Sequence, residues 1–257
     1  MDWSGVLGMP GLAVFWLLLA RAGGLVATAP LLGGGNLPGP VRALVALIVA
    51  LGALPAAAVP AGGVPSAVVP LVAQAAQEVV VGAALGFMAQ VVYAVVDITG
   101  GLVDTQLGLT IGAQVDPVYG PAGMAAGDWT QTVGALAYLA AGGVEMLAAA
   151  VALSLRHLPL GSPLDGVTTA QALVGALGWA FLTAVSLALP VVAASVVVAV
   201  ALGLVGRVMP QFNVLQGILP AQVLVGVGVL LLVTPLLVAG FGQLVPETMS
   251  RLGGVAG

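Results

Sequence analysis

The sequence predicts an all-α polytopic membrane protein of about six long, kinked helices arranged in hairpins. Of its 257 residues, 61% are hydrophobic and only 5% are charged. A soluble domain carries about a quarter charged residues, because its surface faces water. Mean hydropathy is +1.21, and six apolar segments each reach the roughly 18–20 residues that a membrane helix needs. Lipid or other protein must therefore surround most of the chain.

The six apolar segments are separated by loops rich in Pro and Gly. Barrel strands would alternate in polarity, which these segments do not, so helices are predicted throughout. The third and fifth segments would be about 43 and 52 Å long as helices, longer than the roughly 30 Å hydrocarbon core. Pro190 predicts a break or kink in the fifth. The segments cover residues 12–29, 41–59, 68–96, 129–153, 171–205 and 218–238, and the main loops cover 30–40, 60–65, 99–128, 157–169 and 207–216.

The few cations exclude nucleic acid as a partner and leave the orientation open. The chain has five Arg and no Lys, and the Arg residues form no basic patch that could follow a phosphate backbone. If six spans alternate, Arg42 and Arg207 lie on one side of the membrane, and Arg156 and Arg251 lie on the other. The bias in Lys and Arg that normally sets orientation is thus balanced.

Three ionisable residues, Arg21, Glu78 and Glu145, lie inside apolar segments. An intramembrane charge costs at least about 2.5–3.5 kcal/mol on insertion scales, so it usually faces protein or water. These residues either belong to a proton or substrate pathway, or pair with neighbouring helices and fix packing, and the second interpretation is favoured. Helix faces made of small residues, which include Gly82, Gly86 and Gly228, predict close packing between helices. The alternative interpretation is that the base composition of the genome favours these residues.

No pattern for catalysis, a cofactor or a metal is present in the sequence. There is no Cys and one His, which excludes thiolate sites and His-pair sites within the chain. GxSxG, HExxH and P-loop motifs are missing. The polar loop at 99–128 contains several Asp residues, but their spacing does not match an EF-hand. We therefore expect a protein that is not an enzyme and that binds neither cofactor nor metal.

Four loop patterns occur in order along the chain. They are Pro30-Leu31, Leu37-Pro38 and Val41-Arg42 after the first segment; Asp104, Gln106, Gly108, Asp116 and Pro117; Ser154 with Leu158, Pro159, Leu160 and Gly161; and Arg207, Pro210, Gln211, Asn213 and Val214 before the last segment. Together these patterns resemble, in order and spacing, the FliR family of the flagellar type III export apparatus, whose injectisome counterpart is SctT. The resemblance runs from about residue 15 to 232.

The resemblance implies a non-enzymatic channel subunit in a helical export gate. One such chain would assemble with several FliP and FliQ chains, with FlhB around them and with other export apparatus proteins. The gate would lie in the bacterial inner membrane, at the flagellar basal body, and pass unfolded substrates. The resemblance also implies a FliP-like part at 1–165, a FliQ-like helical hairpin at 166–245 and a short tail at 246–257.

Two sets of functional residues are expected from the same resemblance. The loop at 99–128 corresponds to the region that lines and plugs the closed pore. The 207–214 turn would orient the last two helices, with Pro210 ending one helix and Asn213 capping the next. The pore and plug residues are Asp104, Gln106, Gly108, Gln114, Asp116 and Pro117, and the turn and assembly residues are Arg207, Pro210, Gln211 and Asn213.

Two alternative functions remain open at this stage. An injectisome SctT homologue fits the same motifs. A secondary transporter of small molecules, with a site near the Pro190 break, is less favoured, since the two halves show no convincing internal repeat.

Overall fold

The described part of the chain is built from α-helices. The computed structural model describes residues 9–33, 37–57, 67–106, 125–163, 165–208 and 219–255. These ranges hold seven α-helices, one short 3-10 turn and no strand, which confirms the predicted all-α class. The helices are α1 (Met9–Thr28), α2 (Gly39–Ala53, followed by the 3-10 turn Leu54–Ala56), α3 (Val68–Gln106), α4 (Ala125–Ala140), α5 (Gly143–His157), α6 (Gly166–Val208) and α7 (Leu219–Val255).

Five of the described helices (α1, α2, α3, α6 and α7) are long and apolar enough to cross a membrane. Helices α4 and α5 together form a sixth, broken candidate span. The prediction of a polytopic membrane protein with about six spans is therefore confirmed.

The fourth apolar segment is not the single helix that the sequence predicted. Helix α4 ends at Ala140 and α5 begins at Gly143. Gly142 between them has φ +79° and ψ +32°, a left-handed conformation that glycine adopts without a steric penalty. The prediction relied on continuous hydropathy, which does not detect a glycine that turns the backbone.

Two predicted boundaries also differ in the structure. Helical structure extends into both ends of the loop predicted at 99–128, because α3 continues to Gln106 and α4 begins at Ala125. The hydroxyls of Thr99 and Thr105 bond to carbonyls four residues earlier in the helix, each at 2.7 Å. Polar composition had suggested a loop where helical backbone bonds in fact continue.

Helix α6 is continuous through Pro190, so no break divides it. It has 43 residues and α3 has 39, which correspond to about 64 and 58 Å at 1.5 Å per residue.

Asp165 immediately precedes α6, and its carboxylate accepts bonds from the Thr168 hydroxyl (2.5 Å) and the Val167 amide (3.0 Å). These bonds lower the pKa of Asp165 and match the role of a helix N-cap.

The chain divides into two compact units, each with its own core. The first contains Met1–Val92, Gly142–Gly178 and Val245–Gly257. Within it, α1 approaches α3 closely: a Cβ placed on Gly82 would overlap the carbonyl of Arg21, and one on Gly24 would overlap the carbonyl of Val79. The buried side chains here include Leu17, Leu18, Leu25, Val81, Leu85, Leu147 and Val151.

The second unit contains Tyr93–Ala141 and Trp179–Leu244. The rings of Tyr93 and Tyr138 meet edge to face, with their centroids 5.9 Å apart. Small residues of α6 line its core at helical spacing, which lets neighbouring helices come close. The buried side chains here include Val95, Val96, Ala180, Ala184, Ala188, Val191, Leu237 and Phe241.

Candidate functional site

A buried ion pair occupies the first unit. Arg21 of α1 and Glu78 of α3 are 0% and 1% exposed, and Arg21 Nε lies 2.6 Å from Glu78 Oε2. The close approach at Gly82 brings the two helices near enough for this contact. A charge-assisted bond of this length pairs two charges that would each be costly in an apolar interior. Of the guanidinium nitrogens of Arg21, only Nη2 is buried without a hydrogen-bond partner among the described residues.

Helix α5 and the loop after it supply further partners of this pair. Arg21 Nη1 donates to Ser154 Oγ at 3.1 Å and to the Leu158 carbonyl at 3.0 Å. The amide of Gly161 donates to Glu78 Oε1 at 2.9 Å. One ion pair thus joins α1, α3, α5 and the following loop, and we call these five residues the Arg21 network.

Glu145, the third predicted intramembrane charge, lies apart from the Arg21 network. It is exposed in the first turn of α5, where a carboxylate is favoured by the positive end of the helix dipole. The structure therefore brings two of the three charges together and places the third at a helix terminus.

A second polar cluster closes the base of the predicted plug loop, within the second unit. Asp104 near the end of α3 is 2% exposed, and its Oδ2 accepts the Gly127 amide of α4 at 2.7 Å. Ser195 of α6 donates to Gln106 Oε1 at 3.2 Å. The first bond links the end of α3 to the start of α4, and the second links the end of α3 to α6. We call these four residues the loop-base cluster.

Further polar contacts tie the helices of this unit to one another. The Thr99 hydroxyl lies 3.3 Å from the Ala184 carbonyl of α6. Gln131 Nε2 of α4 donates to Asp97 Oδ1 at 2.8 Å. The neutral Thr99 bond contributes about 0.5–1.5 kcal/mol, and the Gln131 bond links α4 to a carboxylate of α3.

Only some of the predicted site residues fall within the described chain. Asp104 and Gln106 lie in the last turns of α3, and Arg207 is exposed in the last turn of α6, where a cation favours the helix C-terminus. The following lie outside the described residues: Gly108, Gln114, Asp116, Pro117, Pro210, Gln211 and Asn213.

Sequence reasoning missed several members of both clusters. Ser154 and Gly161 entered only as part of a loop pattern, and Gly127 and Ser195 were not singled out. The available signal for Ser154 and Gly161 was that a charge within an apolar segment needs hydrogen-bond partners. The periodicity of apolar residues does not indicate which residue pairs with Arg21, because Arg21 and Glu78 are 57 residues apart in the sequence. Within the described ranges, no three His, Cys, Asp or Glu residues converge as metal ligands would.

Comparison with known proteins agrees with this architecture. The family described as bacterial export proteins, family 1, matches residues 12–248. The chain is 27% identical to the flagellar biosynthetic protein FliR of Escherichia coli (strain K12) over 238 residues, covering 93% of this chain and 90% of that protein. It is also 27% identical to the FliR proteins of Caulobacter vibrioides, over 84% of this chain and 86% of that one, and of Bacillus subtilis, over 82% of each. The chain therefore belongs to the bacterial export proteins of family 1.

Proposed function

We propose that this chain is a non-enzymatic channel subunit of the flagellar type III protein export gate. It would lie in the bacterial inner membrane at the flagellar basal body and assemble with FliP and FliQ homologues and FlhB. The observation that carries the proposal is the family match across residues 12–248. The relatives named above are all flagellar proteins, which favours the flagellar system over an injectisome. Because α6 is continuous through Pro190, the transporter alternative lacks the broken helix it needs there.

Exposed apolar faces support an assembly role. Only 17% of the apolar windows of α6 and α7 is buried within the chain. Val197 of α6 is 69% exposed and Leu232 of α7 is 81% exposed. Helices that leave most of their surface uncovered can pack against similar helices of other subunits, aided by small residues. This is the behaviour expected of a helical gate.

The loop-base cluster supports a closing role for the segment it anchors. Asp104 and Gln106 hold the ends of the 107–124 stretch through two bonds to α4 and α6. In this proposal the stretch, which contains Gly108, Gln114, Asp116 and Pro117, plugs the pore until substrate displaces it. A plug must yield, so a few polar bonds suit it better than a dry apolar core.

Mass measurement of the intact assembly tests the subunit role. Co-expression with FliP and FliQ homologues should give a complex that contains one copy of this chain and several copies of each partner. A chain that purifies alone, as a monomer, under the same conditions would contradict the proposal.

Ion leakage tests the plug. Shortening the 107–124 stretch, or changing Asp104→Ala, should increase leakage of ions across membranes that contain the assembled gate. Asp97→Ala is the matched control, because it also removes a bonded carboxylate of α3 but leaves the loop-base cluster intact. Equal leakage from the wild type and from both loop variants, with assembly unchanged, would remove the plug from the proposal.

Charge reversal tests the proposed role of the 207–214 turn in assembly. Arg207 is exposed in the last turn of α6, so Arg207→Glu should leave the fold largely intact. If Arg207 helps hold the partner subunits, less FliP and FliQ homologue should co-purify with the variant. Unchanged recovery would leave Arg207 with only a local role at the helix end.

A further inference from the structure

A groove of about 280 Å³ lies between α1 and α2, within the first unit. Its walls are small and apolar apart from one arginine, Arg42, in the first turns of α2. The apolar lining residues are Gly23, Val26, Ala27, Gly39, Ala43 and Ala46. We call this feature the α1–α2 groove.

Glycine keeps the groove open. A Cβ placed on Gly23 or Gly39 would meet no atom within 4 Å. The adjacent Gly24 is different, since a Cβ there would overlap the backbone of α3. Close packing thus accounts for Gly24, whereas Gly23 leaves space on the other side of α1.

Arg42 brings a partly buried guanidinium to the groove. Its Nε is buried and donates no hydrogen bond within the part of the chain that the structure describes. The helix N-terminus beside it adds the positive end of the α2 dipole. A buried guanidinium nitrogen without an acceptor costs free energy. An anionic group bound at this end of the groove would supply the acceptor and match the positive charge.

Helices α1 and α2 are both long and apolar enough to cross a membrane, and a hairpin of two such spans would place Arg42 near the level of the lipid headgroups. Helix α1 ends at Thr28 and α2 begins at Gly39, so Arg42 lies near the end of a helical hairpin. In α2 the bond to Cβ tilts toward the helix N-terminus, which carries the side chain toward that end. The face of α2 opposite the groove is also apolar, with Leu44 at 55%, Ile48 at 60% and Leu51 at 51% exposure. Such a face suits a helix that lies in lipid.

We propose that the α1–α2 groove binds an anionic phospholipid. The headgroup phosphate accepts hydrogen bonds from Arg42, and one acyl chain lies along the wall formed by Gly23, Ala43 and Ala46. Basic pockets between membrane helices recognise anionic headgroups in this way. The site goes beyond the proposed export function, and its test does not depend on export.

Native mass spectrometry of the full-length chain in detergent tests the site. Dioleoylphosphatidylglycerol and dioleoylphosphatidylcholine are added in parallel, because they share acyl chains and differ in headgroup charge. We expect the first bound lipid to be preferentially the phosphatidylglycerol. Arg42→Gln should weaken its retention about fivefold, the factor that one basic residue at an anionic membrane surface supplies. Arg42→Lys should keep most of the preference.

Further variants separate the groove from general charge attraction. Gly23→Leu should weaken binding of both lipids, because the leucine side chain would enter the groove. Gly52→Leu is the control and should not weaken binding, because Gly52 of α2 also faces open space but lies outside the groove. Arg156→Gln removes the same charge from an exposed position outside the groove and should leave the preference intact.

Three results would overturn the proposal. The first is a wild-type chain that shows no preference for phosphatidylglycerol over phosphatidylcholine. The second is an Arg156→Gln variant whose retention of phosphatidylglycerol falls as much as that of Arg42→Gln. The third is inorganic phosphate that displaces the lipid at equal concentration. Arg42→Gln that lowers recovery of partner subunits while lipid retention is unchanged would instead assign the arginine to a protein contact.

Discussion

Arg21 illustrates how a single residue can be both costly and stabilising in an apolar helix. Its guanidinium is fully buried, and its partners come from α3, α5 and the loop that follows. Breaking a buried pair by removing one partner typically costs about 3–5 kcal/mol, whereas replacing both by apolar groups costs far less. The Arg21 network therefore specifies which elements meet, more than it adds net stability.

A double-mutant cycle measures this coupling. Glu78→Leu should destabilise the detergent-solubilised chain by about 3–5 kcal/mol, because Arg21 is left buried without its counter-charge. Adding Arg21→Met should recover a large part of that loss. Denaturant unfolding followed by circular dichroism is the measurement. Glu145→Leu, at an exposed helix terminus, is the control and should change stability by no more than about 1 kcal/mol. Additive effects of the two network substitutions would refute the coupling.

At the level of elements, the glycines fall into two groups. At some positions close helix packing leaves no room for a Cβ, and at others a Cβ has room. Gly24, Gly82 and Gly86 lie where α1 and α3 nearly touch, so a Cβ at any of them would overlap backbone. Gly101 of α3 and Gly228 of α7 face open space within the described structure. Close packing within the chain thus explains the first group and not the second.

Alanine substitution distinguishes the two groups. Gly82→Ala should destabilise the chain by about 1–3 kcal/mol, the usual cost of overpacking, because its methyl group would push α3 away from the Arg21 carbonyl. Gly101→Ala on the same helix should be neutral or stabilise by up to about 1 kcal/mol, since alanine favours helix. Thermal unfolding in detergent compares them. A Gly82→Ala variant as stable as wild type would show that α1 and α3 can separate at no cost.

Across the described chain, many large apolar side chains of both units are exposed. Lipid can cover such a surface, and so can the helices of partner subunits. Under the proposed function, much of the surface of α6 and α7 is covered by protein in the assembled gate. A charge introduced there would then interfere with assembly more than with folding of the chain.

Leu232→Arg tests this at the most exposed of the large apolar side chains that the structure describes in α7. An unpaired charge in the middle of a span costs at least about 2.5–3.5 kcal/mol on insertion scales, so several-fold less FliP and FliQ homologue should co-purify with the variant. Val167→Arg is the control, because Val167 is 67% exposed but lies at a helix end, where Arg can reach the membrane surface. Membrane fractionation verifies insertion of both variants. Full recovery of partners with Leu232→Arg would argue that this face contacts lipid.

The sequence by itself determined the class of protein, the approximate positions of the spans and the presence of three ionisable residues in apolar segments, which would need partners wherever they are buried. These follow from hydropathy and from the cost of charge in an apolar medium, both of which are local properties. The tertiary structure alone decided that Glu78 is the partner of Arg21, that Asp104 reaches across to Gly127, and that the α1–α2 groove stays open beside Arg42. Those outcomes depend on which helix faces meet, and residues far apart in the chain meet through packing that no local pattern records.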